Sequence, residues 1–280
     1  MSNSFPIGFF DSGIGGLSVW REVARQLPRE DTIYFADQIH IPYGPRSLQE
    51  IRSFSEAITR FLLDRGSKII VVACNAASAA ALKYLRATFP DIPFVGMEPA
   101  VKPAAATTHS GVVGVLATPA TFQGELFASV VERFANGVQL IKQVCPGLVE
   151  QIEAGRLDTP DTLEMLDRFL APIRSGGADT IVLGCTHYPF VIEAIRHLAP
   201  GVNVIDPAPA IARQVDRVLR EHGWLCAEDR IGQPRLFTSG DLDRYQKILR
   251  MLVNVETPGQ RAIWSVDQTA LSEFTSQEEI

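Results

Sequence analysis

Short, almost wholly apolar runs alternate along this chain with longer stretches whose apolar positions recur every three or four residues. PIGFFD, TIYFAD, KIIVVAC, PFVGM, GVVGVLAT, VQLIKQV, TIVLGC, VNVID and PRLFTSG read as strands. GGLSVWREVARQL, SLQEIRSFSEAITRFLLDRG, NAASAAALKYLRATF, TFQGELFASVVERF, LVEQIEAG, TPDTLEMLDRFLAPIRSGG, HYPFVIEAIRHLA, PAIARQVDRVLREHG and DLDRYQKILRMLV have helical spacing. Gly66 ends the second of these helices, and QIHIPYGPR, with two prolines and a glycine, reads as a loop. Strands that alternate with helices and lack polar positions belong to parallel sheets covered on both faces, the doubly wound α/β class.

The two halves echo each other. An apolar strand ends on Cys74 in VVACNAAS and another on Cys185 in IVLGCTHY, each followed by Asn or Thr and a helical pattern. Asp11-Ser12 follows the first strand of the first half, and Thr118 the corresponding strand of the second. The expectation is two pseudo-symmetric lobes with an active site in the cleft between them. Residues 1–97 plus 210–265 would form the first lobe and 98–209 the second, leaving 266–280 as an unpatterned, disordered tail.

Composition narrows the classes of partner. The 280 residues are 46% hydrophobic and 21% charged, an ordinary globular balance, with net charge −6. No basic run suits nucleic acid, and no window approaches the ~20 apolar residues of a membrane span. The N-terminus lacks a basic region and a long apolar core, so no signal peptide is read there. The four cysteines (Cys74, Cys145, Cys185, Cys226) are scattered, without metal-ligand spacing or a disulfide framework. The expectation is a cytoplasmic protein with reduced thiols, no metal and no cofactor.

Ligands of open parallel sheets bind at the carboxyl ends of strands. The groups placed there are Asp11, Ser12, Pro42, Tyr43, Gly44, Cys74, Asn75, Thr118, Thr121, Cys185, Thr186 and His187. DSGIGGLS lacks dinucleotide-loop spacing and reads as a turn whose glycines permit close backbone approach; no Walker-type lysine is present. A Cys at a helix N-terminus is expected to lean toward thiolate. His187 could pass protons to Cys185. Asp11 could do so for Cys74 if their strands are neighbours, or it could only cap the helix near Gly15. Two matched thiols on facing lobes suit removal of a proton from one face of a carbon and delivery to the other. Free Cys is usually buried packing, the reading given to Cys145 and Cys226. His40, His109, His197 and His222 read as surface or loop groups.

FDSGIGGLSV, YFADQIHIPYG, CNAAS, GVLATPATF and GCTHYPF, in this order, resemble the glutamate racemases of the aspartate/glutamate racemase superfamily, from about residue 7 to residue 250. The resemblance implies a cofactor-independent two-base racemase of glutamate that supplies D-glutamate for peptidoglycan and is expected to be a homodimer. Carried over, Cys74 takes the α-proton from D-glutamate and Cys185 from L-glutamate. Asp11 assists Cys74; His187 assists Cys185, with Glu153 or, less well by spacing, Glu150. Ser12, Pro42, Tyr43, Gly44, Asn75, Thr118, Thr121 and Thr186 hold the substrate. Two positions depart from the family pattern: Ala76 replaces a Thr, removing a hydroxyl, and His40 stands where Arg is usual. The alternatives are a racemase of aspartate or of another superfamily substrate, and a non-catalytic binder with buried thiols.

Overall fold

The computed structural model describes residues 5–98 and 100–274. The strands are β1 (Ile7–Asp11), β2 (Thr32–Ala36), β3 (Ile69–Val72), β4 (Phe94–Gly96), β5 (Val112–Ala117), β6 (Gln139–Val144), β7 (Thr180–Gly184), β8 (Asn203–Ile205), β9 (Pro234–Thr238), β10 (Gly259–Trp264) and β11 (Leu271–Glu273). The helices are α1 (Leu17–Gln26), α2 (Leu48–Leu63), α3 (Asn75–Thr88), α4 (Val101–Thr107), α5 (Pro119–Gln123), α6 (Glu125–Phe134), α7 (Leu148–Glu153), α8 (Pro160–Ser175), α9 (Ile192–Leu198), α10 (Ala208–Glu221) and α11 (Leu242–Val253).

Two sheets form, in the orders β11-β10-β9-β2-β1-β3-β4 and β6-β5-β7-β8. The segments β2-β1-β3-β4 and β6-β5-β7-β8 have the same order, so the echo in the sequence is a repeat of topology. All ladders are parallel except β10–β11. Both faces of the central strands are covered. On β1, Ile7 and Phe9 enter one core while Phe10 enters another; on β3, Ile69 and Val71 part from Ile70 and Val72 in the same way. Period-2 alternation between two apolar cores is why these strands carry no polar positions. The core containing Phe9 also holds Leu166, Ile181 and Val215, so it runs through both halves of the chain.

Five elements differ from the sequence reading, which contained neither α4 nor β10. The helix expected over TFQGELFASVVERF is broken at Gly124, whose backbone is extended and whose missing Cβ leaves room for Ala79 of α3. Tyr188–Val191 form a 3-10 turn before α9, so Cys185 does not begin an α-helix as Cys74 does. The tail is ordered as far as it is described: Leu271–Glu273 pairs antiparallel with β10. Its outward-facing polar residues gave no strand signal, and the pairing supplies the order. Residues 275–280 of the expected tail lie outside the described residues.

Candidate active site

β1 and β3 are paired neighbours, as are β5 and β7, and the ends of these strands bring Asp11, Cys74, Thr118 and Cys185 to one cleft. The cleft is nearly closed in this structure, with a cavity volume of about 20 Å3, space for about one water. Its wall is made by Asp11, Ser12, Pro42, Tyr43, Gly44, Cys74, Asn75, Ala76, Thr118, Val149, Cys185, Thr186 and His187. Ala76 and Val149 were not expected to line a site. Thr121 stands one layer back, its hydroxyl 3.2 Å from that of Thr118. Among the described residues no three His, Cys, Asp or Glu side chains converge as a metal site requires.

Cys74 is the N-cap of α3, and its sulfur accepts the Ala77 N–H at 3.5 Å and lies 3.9 Å from Ser12 Oγ. The expected drift toward thiolate does not hold. Burial pushes the Cys74 thiol well above its ordinary value, and the nearby Asp11 charge pushes the same way; the Ala77 and Ser12 contacts offset only part of this. Removal of the sulfur from water outweighs the helix dipole.

Cys185 has a different partner. Its sulfur lies 3.7 Å from His187 Nδ1, and His187 Nε2 lies 2.8 Å from Glu153 Oε1. Burial opposes charge on the imidazole. The hydrogen bonds to Cys185 and Glu153, with the Asp11 charge, outweigh it and raise the imidazole well above its ordinary value. Glu153 is buried and carries this contact, whereas Glu150 is exposed on the same helix. Glu153 Oε1 also accepts the Ile14 N–H at 2.7 Å, and Oε2 accepts Gln38 Nε2 at 2.8 Å.

The glycine loop explains how these groups fit. A Cβ on Gly13 would lie 2.1 Å from Glu153 Oε1, and one on Gly15 would lie 2.3 Å from His187 Nδ1. The close approach read from GIGG is therefore made to the His187–Glu153 pair. Of the two readings left open for Asp11, the hydrogen bonds show the one at the helix start. Its Oδ2 accepts the N–H of Gly16 at the start of α1 and the hydroxyl of Thr186 at 3.0 Å, while its Oδ1 accepts from Ser12 at 3.0 Å. Burial raises its proton affinity, against the lowering effects of His187 and Cys74.

Tyr43 turns its hydroxyl away from substrate space and donates to Asp37 at 2.6 Å. His40, expected at the surface, is buried beside it. Its Nδ1 lies 2.8 Å from Asp37 Oδ2, and its ring stacks on Phe54 with centroids 3.9 Å apart. Asp37 also accepts from Ser239 at 2.9 Å and from Trp264 Nε1 at 2.8 Å. An isolated His gave no sign of this hub, because Phe54, Ser239 and Trp264 come from α2, the turn after β9 and β10. His109, His197 and His222 are exposed, as expected. Cys145 and Cys226 are buried; burial pushes the Cys145 thiol up to about 12. Asn75 is buried on the cavity wall with neither carboxamide atom hydrogen-bonded within the protein.

Two α/β lobes with paired strand-end thiols facing one small cleft define a class in which both halves of the chain build the site. The Asp/Glu/Hydantoin racemase family model matches residues 7–215, and the chain belongs to that family. It is 51% identical over 249 residues to a glutamate racemase of a Roseiflexus species, covering 88% of this chain and 92% of that protein. A glutamate racemase isoform of Bacillus anthracis superposes with a TM-score of 0.83 at 30% identity, over 96% of this chain and 99% of that one. The glutamate racemase of Francisella tularensis in complex with D-glutamate gives 0.82 at 29% identity, over 95% and 99%.

Proposed function

We propose that this chain interconverts L- and D-glutamate by removing the α-proton on one face and returning a proton on the other. The observation that carries the reading is that Cys74 and Cys185, from corresponding positions in two sheets of like topology, line one cavity. Family membership and the glutamate racemases among its relatives supply the substrate class.

For L-glutamate, a Cys185 thiolate beside the His187 imidazolium accepts the α-proton, and the Cys74 thiol donates its proton from the opposite side. For D-glutamate the sulfurs exchange roles. The protonated state favoured for Cys74 and the raised His187 suit the first direction as the resting state. The carbanion-like intermediate is stabilised by preorganised donors: the Asn75 carboxamide, the Ser12, Thr118 and Thr186 hydroxyls, and the N–H groups at the start of α3. Tyr43, held by Asp37, together with Pro42 and Gly44, forms the wall that excludes water. Asp11 serves the Cys74 side and Glu153 orients His187.

The product suits supply of D-glutamate to peptidoglycan in the cytoplasm. All four cysteines are free, and among the described residues no helix is long and apolar enough to cross a membrane. The assembly proposed is a homodimer, which sedimentation checks. The functional test is a panel of L-amino acids, including aspartate, incubated in heavy water and followed by circular dichroism and mass spectrometry. Glutamate should racemise fastest with deuterium entering at Cα; faster turnover of aspartate, or racemisation without deuterium, would overturn the reading.

A further inference from the structure

Glu153 is gripped from outside its own helix. Its Oε1 receives the Ile14 N–H, its Oε2 receives Gln38 Nε2 at 2.8 Å, and its backbone carbonyl receives Arg244 at 3.0 Å. Gln38 is itself fixed at the other end: Thr238 Oγ1, at the end of β9, donates to Gln38 Oε1 at 2.8 Å. Gly240 leaves the path clear, since a Cβ there would lie 2.7 Å from the Gln38 Cβ. A carboxamide with both ends bonded has one usable orientation, with N–H toward the carboxylate. The resulting relay is Thr238–Gln38–Glu153–His187–Cys185, whereas the side-chain chain from Cys74 runs through the long 3.9 Å contact to Ser12 and then Asp11.

From this geometry we infer that Gln38 is a positioning residue for the Cys185 half of the reaction, acting through Glu153 and His187 without touching substrate. The inference rests on the racemase reading for its meaning, but its main readout does not need turnover. A racemase joins two enantiomers of equal free energy, so kcat/KM must change equally in both directions and cannot by itself tell which sulfur is affected. Alkylation can. Thiolate is the form that reacts with iodoacetamide, and mass spectrometry counts Cys74 and Cys185 separately.

In Q38L the Cys185-to-Cys74 alkylation ratio near pH 7 should fall roughly tenfold, the weight of one hydrogen bond to a charged group, and kcat/KM should fall with it. In Q38E the new carboxyl group can donate to Glu153 only while protonated. It faces Glu153 on α7, and around Glu153 stand His187 after β7, Asp11 on β1, Arg244 and Tyr245 on α11, and Tyr34 on β2. The Q38E ratio divided by the wild-type ratio at the same pH should be close to one near pH 6 and drop as pH rises. A residue that only packs would leave this quotient flat with pH. An unchanged ratio in Q38L, or a quotient for Q38E that does not vary with pH, would overturn the inference, and Q38E decides alone if Q38L does not fold. Wild-type protein that fails to racemise glutamate, while the ratios shift as stated, would overturn the racemase reading and leave the Gln38 relay standing.

Discussion

The turn after β3 and the turn after β7 hold their sulfurs in unlike surroundings. Cys74 caps a fourteen-residue helix and meets a backbone N–H, a hydroxyl at 3.9 Å and the field of a buried carboxylate. Cys185 precedes a 3-10 turn and meets an imidazole that is backed by Glu153. One turn disfavours negative charge on sulfur; the other sets a cation beside it. The difference teaches that a symmetric reaction does not need symmetric tools. It needs one sulfur ready to accept while the other is ready to give, and local fields that differ in sign supply that poise before substrate arrives.

The heaviest test is removal of either thiol. Cys74→Ala and Cys185→Ala should each lower racemisation by at least about 10³-fold, the upper range for a general acid–base group. In heavy water Cys185→Ala should still exchange the α-hydrogen of D-glutamate, and Cys74→Ala that of L-glutamate. Exchange of both enantiomers by either variant would erase the division of labour. Next is Gly15→Ala, whose Cβ has no room beside His187 Nδ1. It should cost about 10²-fold in kcat by shifting the imidazole, with a smaller change in KM.

Acidity sharpens the comparison further. With its proton affinity raised, Cys74 of the ligand-free enzyme should alkylate about tenfold faster per pH unit from about pH 7 to 9, with no plateau. His187 is held above 6.5, so the stability it contributes is fully present below that value and is lost as pH rises through the higher folded-state value. Melting curves should therefore show His187→Gln losing less Tm than the wild type on the alkaline side. The smallest effect belongs to Ser12→Ala. A 3.9 Å contact to sulfur is weak, and a loss in kcat/KM of about threefold is expected. A loss as large as that of Gly15→Ala would mean that the Cys74 side also depends on a built relay.

Much of the fold was legible because the signal is local. Apolar runs such as IIVV and IVLG have no polar position to face water, and they form the buried centres of the two sheets. Ser47 and Glu50 form a capping box at the start of α2. What escaped the reading depends on distant partners. Strand β11 is polar outward and is ordered by pairing with β10, and α4 is masked by Pro103 within it. In the site, residue type and strand-end position were enough to select eleven of the thirteen residues that line the cleft, and Thr121 just behind it, with Ala76 and Val149 the unselected wall residues. The contacts of Gln38 and His40 gave no signal, because a Gln or His in a loop has no periodicity; Gln38 bonds to β9 and α7, and the His40 ring meets Trp264 of β10.

The sequence by itself determined the repeating strand–helix order, the two strand-end thiols and the small polar groups beside them, since each follows from neighbours along the chain. Only the tertiary structure decided what surrounds each sulfur and which groups hold it. Proton affinity depends on burial and on charges brought together across the sheets, and these contacts form only when both halves close on one cleft.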